Sequence, residues 1–254
     1  MIIANANGLE IAYERRGQGV PLVLLHGYPL DHSIWHEVAG MLGSSFDVVL
    51  PDLRGFGQSS APEQDYGMAD LAADIVGLLD HLGMERAALA GHSMGGYVAL
   101  AFARAYPERL SGLALVSSQA VADTPEGRER RLATARQVAE QGVGIVADSM
   151  AEKLSPHLRV QSLCAATIRR QRPAGIIGAL KAMAGREDAT PNLPLFSIPV
   201  SILHGDADAL IPVERAREVK AAIPHARLTV FPQGGHMLML ENPQATAEAL
   251  SFLM

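Results

Sequence analysis

The apolar positions of the chain form short runs of strand length, separated by longer stretches with the spacing of an amphipathic helix. Asn7-Gly8 lies between two strand-like runs and predicts a hairpin with strands at residues 1–5 and 9–16. Further strands are predicted at 20–25, 47–50, 86–90, 110–117, 200–203 and 228–231. Helices are predicted at 33–42, 68–82, 94–106, 213–223 and 243–252. Because strands separated by such helices pair in parallel, the pattern predicts an α/β fold with a mostly parallel eight-stranded sheet flanked by helices.

The alternation of strand and helix stops between residues 119 and 195. Helix-like pieces rich in Ala, Arg and Gln follow one another there without a convincing strand between them. We expect this segment to be a helical cap inserted in a core domain of residues 1–118 and 196–254. The chain has no internal repeat and no linker long enough to separate two independent domains.

Composition and charge narrow the classes of partner. The net charge is −6, and the longest basic tract is Arg169-Arg170-Gln171-Arg172, so we expect no nucleic-acid partner. We interpret this tract as a solvated helix face, with attraction of a carboxylate-bearing substrate as the alternative. The single cysteine forms no intrachain disulfide, and neither a secretion signal nor a membrane-length apolar stretch is visible. A cytoplasmic protein without a membrane partner is expected, and homo-oligomerisation is left open.

Residues 91–96 read Gly-His-Ser-Met-Gly-Gly and lie between a predicted strand and a predicted helix. A serine at such a turn is held in a strained conformation that lifts its hydroxyl clear of the sheet. Gly91 and Gly95 avoid the collisions that side chains would cause at this turn. Ser93 is therefore the candidate nucleophile of covalent acyl chemistry.

Two further loops are expected to complete the machinery around this serine. The His-Gly-Tyr-Pro sequence at 26–29 follows a predicted strand and should provide half of an oxyanion hole through the backbone N–H of Tyr28. The N–H of Met94, directly after the nucleophile, supplies the other half. His26 itself is expected to hold its loop by side-chain hydrogen bonds. His236, in the loop after the last strand, is the candidate general base.

Two aspartates, Asp206 and Asp208, compete for the role of the acid that orients the base. Asp208 is favoured because it lies farther into the loop that follows the predicted strand, and Asp206 is then expected to brace the turn. Met237 and Leu238, beside the candidate base, are expected to wall an acyl site.

With the Asp-Leu-Arg-Gly-Phe-Gly-Gln-Ser loop at 52–59, these motifs resemble the α/β-hydrolase superfamily over essentially the whole chain. Within it, the chain is similar to the group of carboxylesterases, cofactor-free haloperoxidases and 3-oxoadipate enol-lactonases, whose members carry a helical cap where this chain has residues 119–195. The resemblance implies the same site residues, Asp208, Tyr28 and Met94 among them.

The expected function is hydrolysis of a small to medium carboxylic ester or lactone through an acyl-enzyme intermediate, without a cofactor. Perhydrolase or haloperoxidase activity and carbon–carbon bond hydrolysis use the same triad and stay open, as does a small-molecule receptor on the same fold.

A serine at position 93 excludes relatives that form an ester on an aspartate. Gly17-Gln18-Gly19 and Gly55-Phe56-Gly57 lack the third glycine of a dinucleotide motif. No metal site is expected, because the sequence has neither a His-Glu-x-x-His motif nor a cysteine cluster. His32 and His36 lie near the Tyr28 loop, and the sequence does not indicate their partners.

Overall fold

The computed structural model describes all 254 residues, and its centre is one eight-stranded sheet. The strands are β1 Ile2–Ala6, β2 Leu9–Arg16, β3 Val20–Leu25, β4 Phe46–Pro51, β5 Ala87–His92, β6 Leu110–Val116, β7 Val200–Gly205 and β8 Arg227–Phe231. Their order across the sheet is β1-β2-β4-β3-β5-β6-β7-β8. β2 pairs antiparallel with both β1 and β4, and every other pair is parallel. The predicted mostly parallel sheet of eight strands is confirmed.

Ten α-helices connect and cover the strands. They are α1 His36–Leu42, α2 Met68–Leu82, α3 Met94–Ala105, α4 Pro125–Gln141, α5 Gly144–Leu154, α6 Leu158–Arg169, α7 Pro173–Ala184, α8 Glu214–Ala222, α9 Leu238–Glu241 and α10 Pro243–Leu250. The helix predicted at 33–42 begins as a 3₁₀ turn at His32–Trp35, capped by the Asp31 side chain. α9 was not predicted, because four residues are too few to show a helical period. No helix combines the length and the apolar character that a membrane crossing requires.

The burial of the central strands explains why their sequences are continuous apolar runs. Every residue of β4, β5 and β7 is buried, and so are the last four residues of β3. Since successive side chains point to opposite faces of a sheet, both faces of these strands are covered. The carboxyl ends of the parallel strands β3, β5, β7 and β8 meet at one edge, which brings four separate loops together.

Four helices, α4 to α7, lie between β6 and β7, where the sequence predicts an inserted segment. α4 packs against α7, and α5 packs against α6. We retain as a proposal that residues 119–195 form a cap on a core of residues 1–118 and 196–254.

Candidate active site

The turn between β5 and α3 holds Ser93 in a conformation that side chains seldom adopt, with φ +51° and ψ −113°. A Cβ atom on Gly91 would lie 2.2 Å from the carbonyl oxygen of Gly95, and one on Gly95 would lie 2.5 Å from that of Leu25. The Ser118 hydroxyl donates a hydrogen bond of 2.8 Å to the Ser93 carbonyl. The close backbone packing and this hydrogen bond hold the strained turn in place.

His236 and Asp208 form a buried pair at the carboxyl ends of β8 and β7. Nδ1 of His236 lies 2.7 Å from Oδ2 of Asp208, and their side chains are 2% and 0% exposed. Oδ1 of Asp208 accepts from the backbone N–H groups of Leu210 and Ile211 at 2.8 and 3.0 Å. Burial by itself raises the pKa of Asp208, but the opposing effects of His236 and these two N–H groups are larger together and hold the pKa below its ordinary value. The ionised carboxylate therefore binds the Nδ1 proton of His236 and leaves Nε2 as the proton acceptor.

His92 is a positioning residue that the sequence analysis missed. Its Nε2 donates to the backbone carbonyl of His236 at 3.0 Å, and the two rings lie 4.8 Å apart. Complete burial lowers the pKa of His92 well below its ordinary value, so the ring stays neutral. A Cβ atom on Gly27 would lie 2.5 Å from Nδ1 of His92, which explains the glycine at that position. The signal in the sequence that could have indicated this role is the position of His92 directly before Ser93.

Tyr28 lies in the loop after β3 and Met94 begins α3, and their backbone N–H groups stay the candidates for the oxyanion hole. Met94 is the first residue of α3, so its N–H is among those that a helix leaves without an intrahelical acceptor. Nε2 of His26 accepts from the Leu53 N–H at 2.9 Å, and its Nδ1 donates to the Gly27 carbonyl at 3.0 Å. The loop-holding role expected of His26 is thus present.

A cavity of about 460 Å³ brings Tyr28, Ser93 and His236 together. Its other lining residues are Tyr97, Gln119, Asp123, Gly127, Arg130, Arg131, Thr134, Val146, Ser149, Met150, Lys153, Leu180, Met183, Leu210 and Ile211. Three cationic side chains and one carboxylate give this lining a net charge of +2, whereas the whole chain has a net charge of −6. The cavity therefore favours an anionic ligand.

The carboxylate of this lining, Asp123, is shared by two arginines. Arg131 donates to it through Nε, and Nη1 of Arg186 lies 2.8 Å from its Oδ1. The Arg186 side chain is 4% exposed and its guanidinium lies 4.2 Å from the centre of the Tyr97 ring. One carboxylate between two guanidinium groups leaves a positive charge uncompensated beside the cavity.

Asp206 lies outside the pair and braces the turn, as expected, through an Oδ1 that accepts from the Gln233 N–H at 2.6 Å. The interpretation of Met237 and Leu238 as acyl-site walls is wrong. Both are fully buried and neither lines the cavity, because the chain enters α9 there and turns these side chains into the core.

The basic tract at 169–172 also lies outside the cavity lining. Arg169 ends α6 and pairs with Asp148, and both side chains are more than half exposed. Arg172 donates to the Ser59 carbonyl. The solvated-face interpretation therefore holds for Arg169, and other residues supply the cations near Ser93.

Comparisons with known proteins show the family to which the chain belongs. An esterase from Thermogutta terrifontis, solved with malate bound, is 36% identical and superposes with a TM-score of 0.94 over 98% of this chain and 96% of its own. The enol-lactonase from Burkholderia xenovorans LB400 is 26% identical, with a TM-score of 0.89 over 99% of both chains. A pimeloyl-[acyl-carrier protein] methyl ester esterase from Aeromonas hydrophila is 29% identical over 95% of this chain and 98% of its own. A family model described as the alpha/beta hydrolase fold matches residues 20–243, and the chain belongs to the α/β-hydrolase family.

Proposed function

We propose that the protein is a serine hydrolase that cleaves small to medium carboxylic esters or lactones. The observation that carries the proposal is the buried 2.7 Å contact between His236 and Asp208, at a cavity that Ser93 also lines. An imidazole held by an ionised carboxylate is a general base in the correct tautomer. The neighbouring serine is the nucleophile that such a base activates.

In this proposal the Ser93 hydroxyl oxygen attacks the ester carbonyl carbon while its proton passes to Nε2 of His236. The backbone N–H groups of Tyr28 and Met94 donate to the oxyanion of the tetrahedral intermediate. The carbon–oxygen bond to the alcohol then breaks, the alcohol takes the proton from His236, and an acyl ester remains on Ser93. Water loses a proton to His236 and attacks this ester. The acid leaves, and the serine regains its proton.

We further infer that the acyl part of the substrate carries an anionic group. The cavity lining has a net charge of +2, and the Arg131 side chain is only 25% exposed. The Tyr28 hydroxyl is buried and has no hydrogen-bond partner. Burial raises the pKa of Tyr28 above its ordinary value, so the hydroxyl stays protonated and can donate to an anion. The similar esterase from Thermogutta terrifontis was solved with malate, a dicarboxylate, bound.

The experiment that tests the proposal compares the native chain with Ser93→Ala on p-nitrophenyl esters from acetate to decanoate. Ser149→Ala is the matched control, because Ser149 lines the same cavity and bonds only to the carbonyl of Val146. We expect Ser93→Ala to lose about six orders of magnitude in turnover and Ser149→Ala to retain the native rate. Equal rates in the native chain and Ser93→Ala would overturn the proposal.

The same experiment separates the alternatives that share these residues. Lactones offered beside the esters identify lactonase activity, and hydrogen peroxide in place of water as the acyl acceptor identifies perhydrolysis. A receptor would show no turnover, and its Ser93→Ala variant would keep the native ligand affinity.

A further inference from the structure

Three side chains that do not line the cavity with Ser93 converge on one point. They are Glu14 of β2, His32 of the 3₁₀ turn, and His36 at the start of α1. Nε2 of His32 and Nε2 of His36 each lie 3.4 Å from Oε1 of Glu14. The three donor atoms all lie within 4.8 Å of one another. Two neutral imidazole nitrogens and a carboxylate oxygen are a common ligand set for zinc.

The distances fit a tetrahedral metal ion. Zinc binds histidine nitrogen and carboxylate oxygen at about 2.0–2.2 Å, which places neighbouring ligand atoms about 3.4 Å apart. Both nitrogen–oxygen separations have this value. The two histidine nitrogens lie within 4.8 Å of each other, and the His36 side chain is 40% exposed.

The surroundings orient each ligand. Nδ1 of His32 lies 2.6 Å from Oδ1 of the fully buried Asp52, so that nitrogen carries a proton and Nε2 points its lone pair at the cluster. Arg16 donates to Oε2 of Glu14 at 2.6 and 3.1 Å, which leaves Oε1 for the metal. Nε2 of His36 is buried and has no hydrogen-bond partner.

The local charge also suits a cation. The carboxylates of Asp31 and Asp52 lie beside His32, and Glu14 adds a third, whereas Arg16 is the cation that contacts the cluster. A histidine pair with one carboxylate favours zinc and its neighbours over magnesium or calcium, which prefer six or more oxygen ligands.

We propose that Glu14, His32 and His36 form a binding site for one Zn²⁺ ion, with the fourth position open to water. The ion would join strand β2 to the segment that follows the loop of Tyr28. Its effect is to stabilise that segment, independently of the hydrolysis chemistry.

Equilibrium dialysis of the tag-free chain against ZnCl₂, with thermal unfolding in parallel, tests the site. We expect one zinc per chain and a higher Tm. Excess MgCl₂ should leave the zinc in place. Glu14→Gln and His36→Ala should each weaken zinc binding by at least about a hundredfold, since loss of an outer partner alone costs about 10–100-fold. Both side chains are partly exposed, so these variants should fold.

His157→Ala is the control, because His157 is another exposed histidine remote in sequence from the cluster. It should bind zinc with the native affinity. Co²⁺ should give the intense visible absorption of a tetrahedral site in the native chain and in this control only. Failure of the native chain to bind zinc, or native affinity in Glu14→Gln and His36→Ala, would overturn the assignment.

Discussion

Arg131→Met removes the charge that we assign to recognition of an anionic acyl group while it keeps most of the aliphatic stem. The variant should fold, because the carboxylate of Asp123 retains Arg186 at 2.8 Å and is not left as an unpaired buried charge. Its Tm should therefore stay within a few degrees of the native value. A measured Tm separates a change in substrate recognition from a change in folding.

The expected fall in kcat/KM of Arg131→Met follows from the burial of the Arg131 side chain. Its side chain is 25% exposed and lines the cavity with Ser93, so a hydrogen bond to a carboxylate is largely shielded from water. A hydrogen bond to a charged group is worth about 1.5–3 kcal/mol. At about 1.4 kcal/mol for each factor of ten, kcat/KM for an anionic ester should fall by about 10–150-fold. Arg130 and Lys153 are exposed, and their Met variants should each cost less than about fivefold.

The assay compares two p-nitrophenyl esters of equal chain length, the butyrate and the hemisuccinate, which carries a carboxylate at the far end of the acyl chain. Native protein should prefer the hemisuccinate, and Arg131→Met should lose that preference through the hemisuccinate rate alone. An equal fall in kcat/KM for both esters would show that Arg131 acts on the geometry of the site. No fall for the hemisuccinate would refute the assignment of an anionic substrate.

Three further predictions concern the turn, the triad and pH. Gly91→Ala should abolish activity and lower the Tm, because its Cβ would lie 2.2 Å from the Gly95 carbonyl oxygen, and a native Tm would contradict this packing argument. Asp208→Asn should lower kcat about 10⁴-fold with the fold intact, because an amide favours the wrong tautomer of the base; unchanged kcat would remove Asp208 from the triad. Burial lowers the pKa of His26 and of His92 below 6.5, so both bind protons more readily in the unfolded chain. Their contribution to stability is complete above about pH 6.5 and is lost as pH falls below it, by up to about 1.4 kcal/mol per pH unit for each histidine, until the pH reaches the lowered pKa of that histidine. Urea unfolding from pH 7.5 to 5 measures this slope, and a flat profile would contradict it.

Much of the fold was predictable because the strands are buried on both faces. β2 and β3 begin and end at the predicted residues, and so does α2, since each is a strongly periodic or continuous apolar segment. The order of strands in the sheet was not predictable in the same way. The strand order depends on which faces of the strands and helices pack together, and the spacing of apolar residues along the chain does not specify this packing.

The candidate nucleophile and its proposed partners were predicted from local sequence, because strained turns and loop ends require particular residue types. The charged lining was not identified, since Arg131 and Lys153 lie on α4 and α5 at positions that resemble any solvated helix face. Only the folded chain brings these side chains to the cavity that Ser93 lines. The same holds for Glu14 and His36, which are separated along the chain and meet through the pairing of β2.

The loop at 52–59 links the segment after Tyr28 to the helices proposed as the cap. Asp52 accepts from the backbone N–H and the ring of His32, which fixes the turn after the oxyanion loop. Gln171 accepts from the Gly57 N–H and donates to Asp31, both at 3.0 Å, so it joins the same loop to the helices proposed as the cap. Gln171 lies between α6 and α7, and these helices pack against α5 and α4, which supply the cationic lining. A change in their position should therefore alter transition-state stabilisation together with substrate binding.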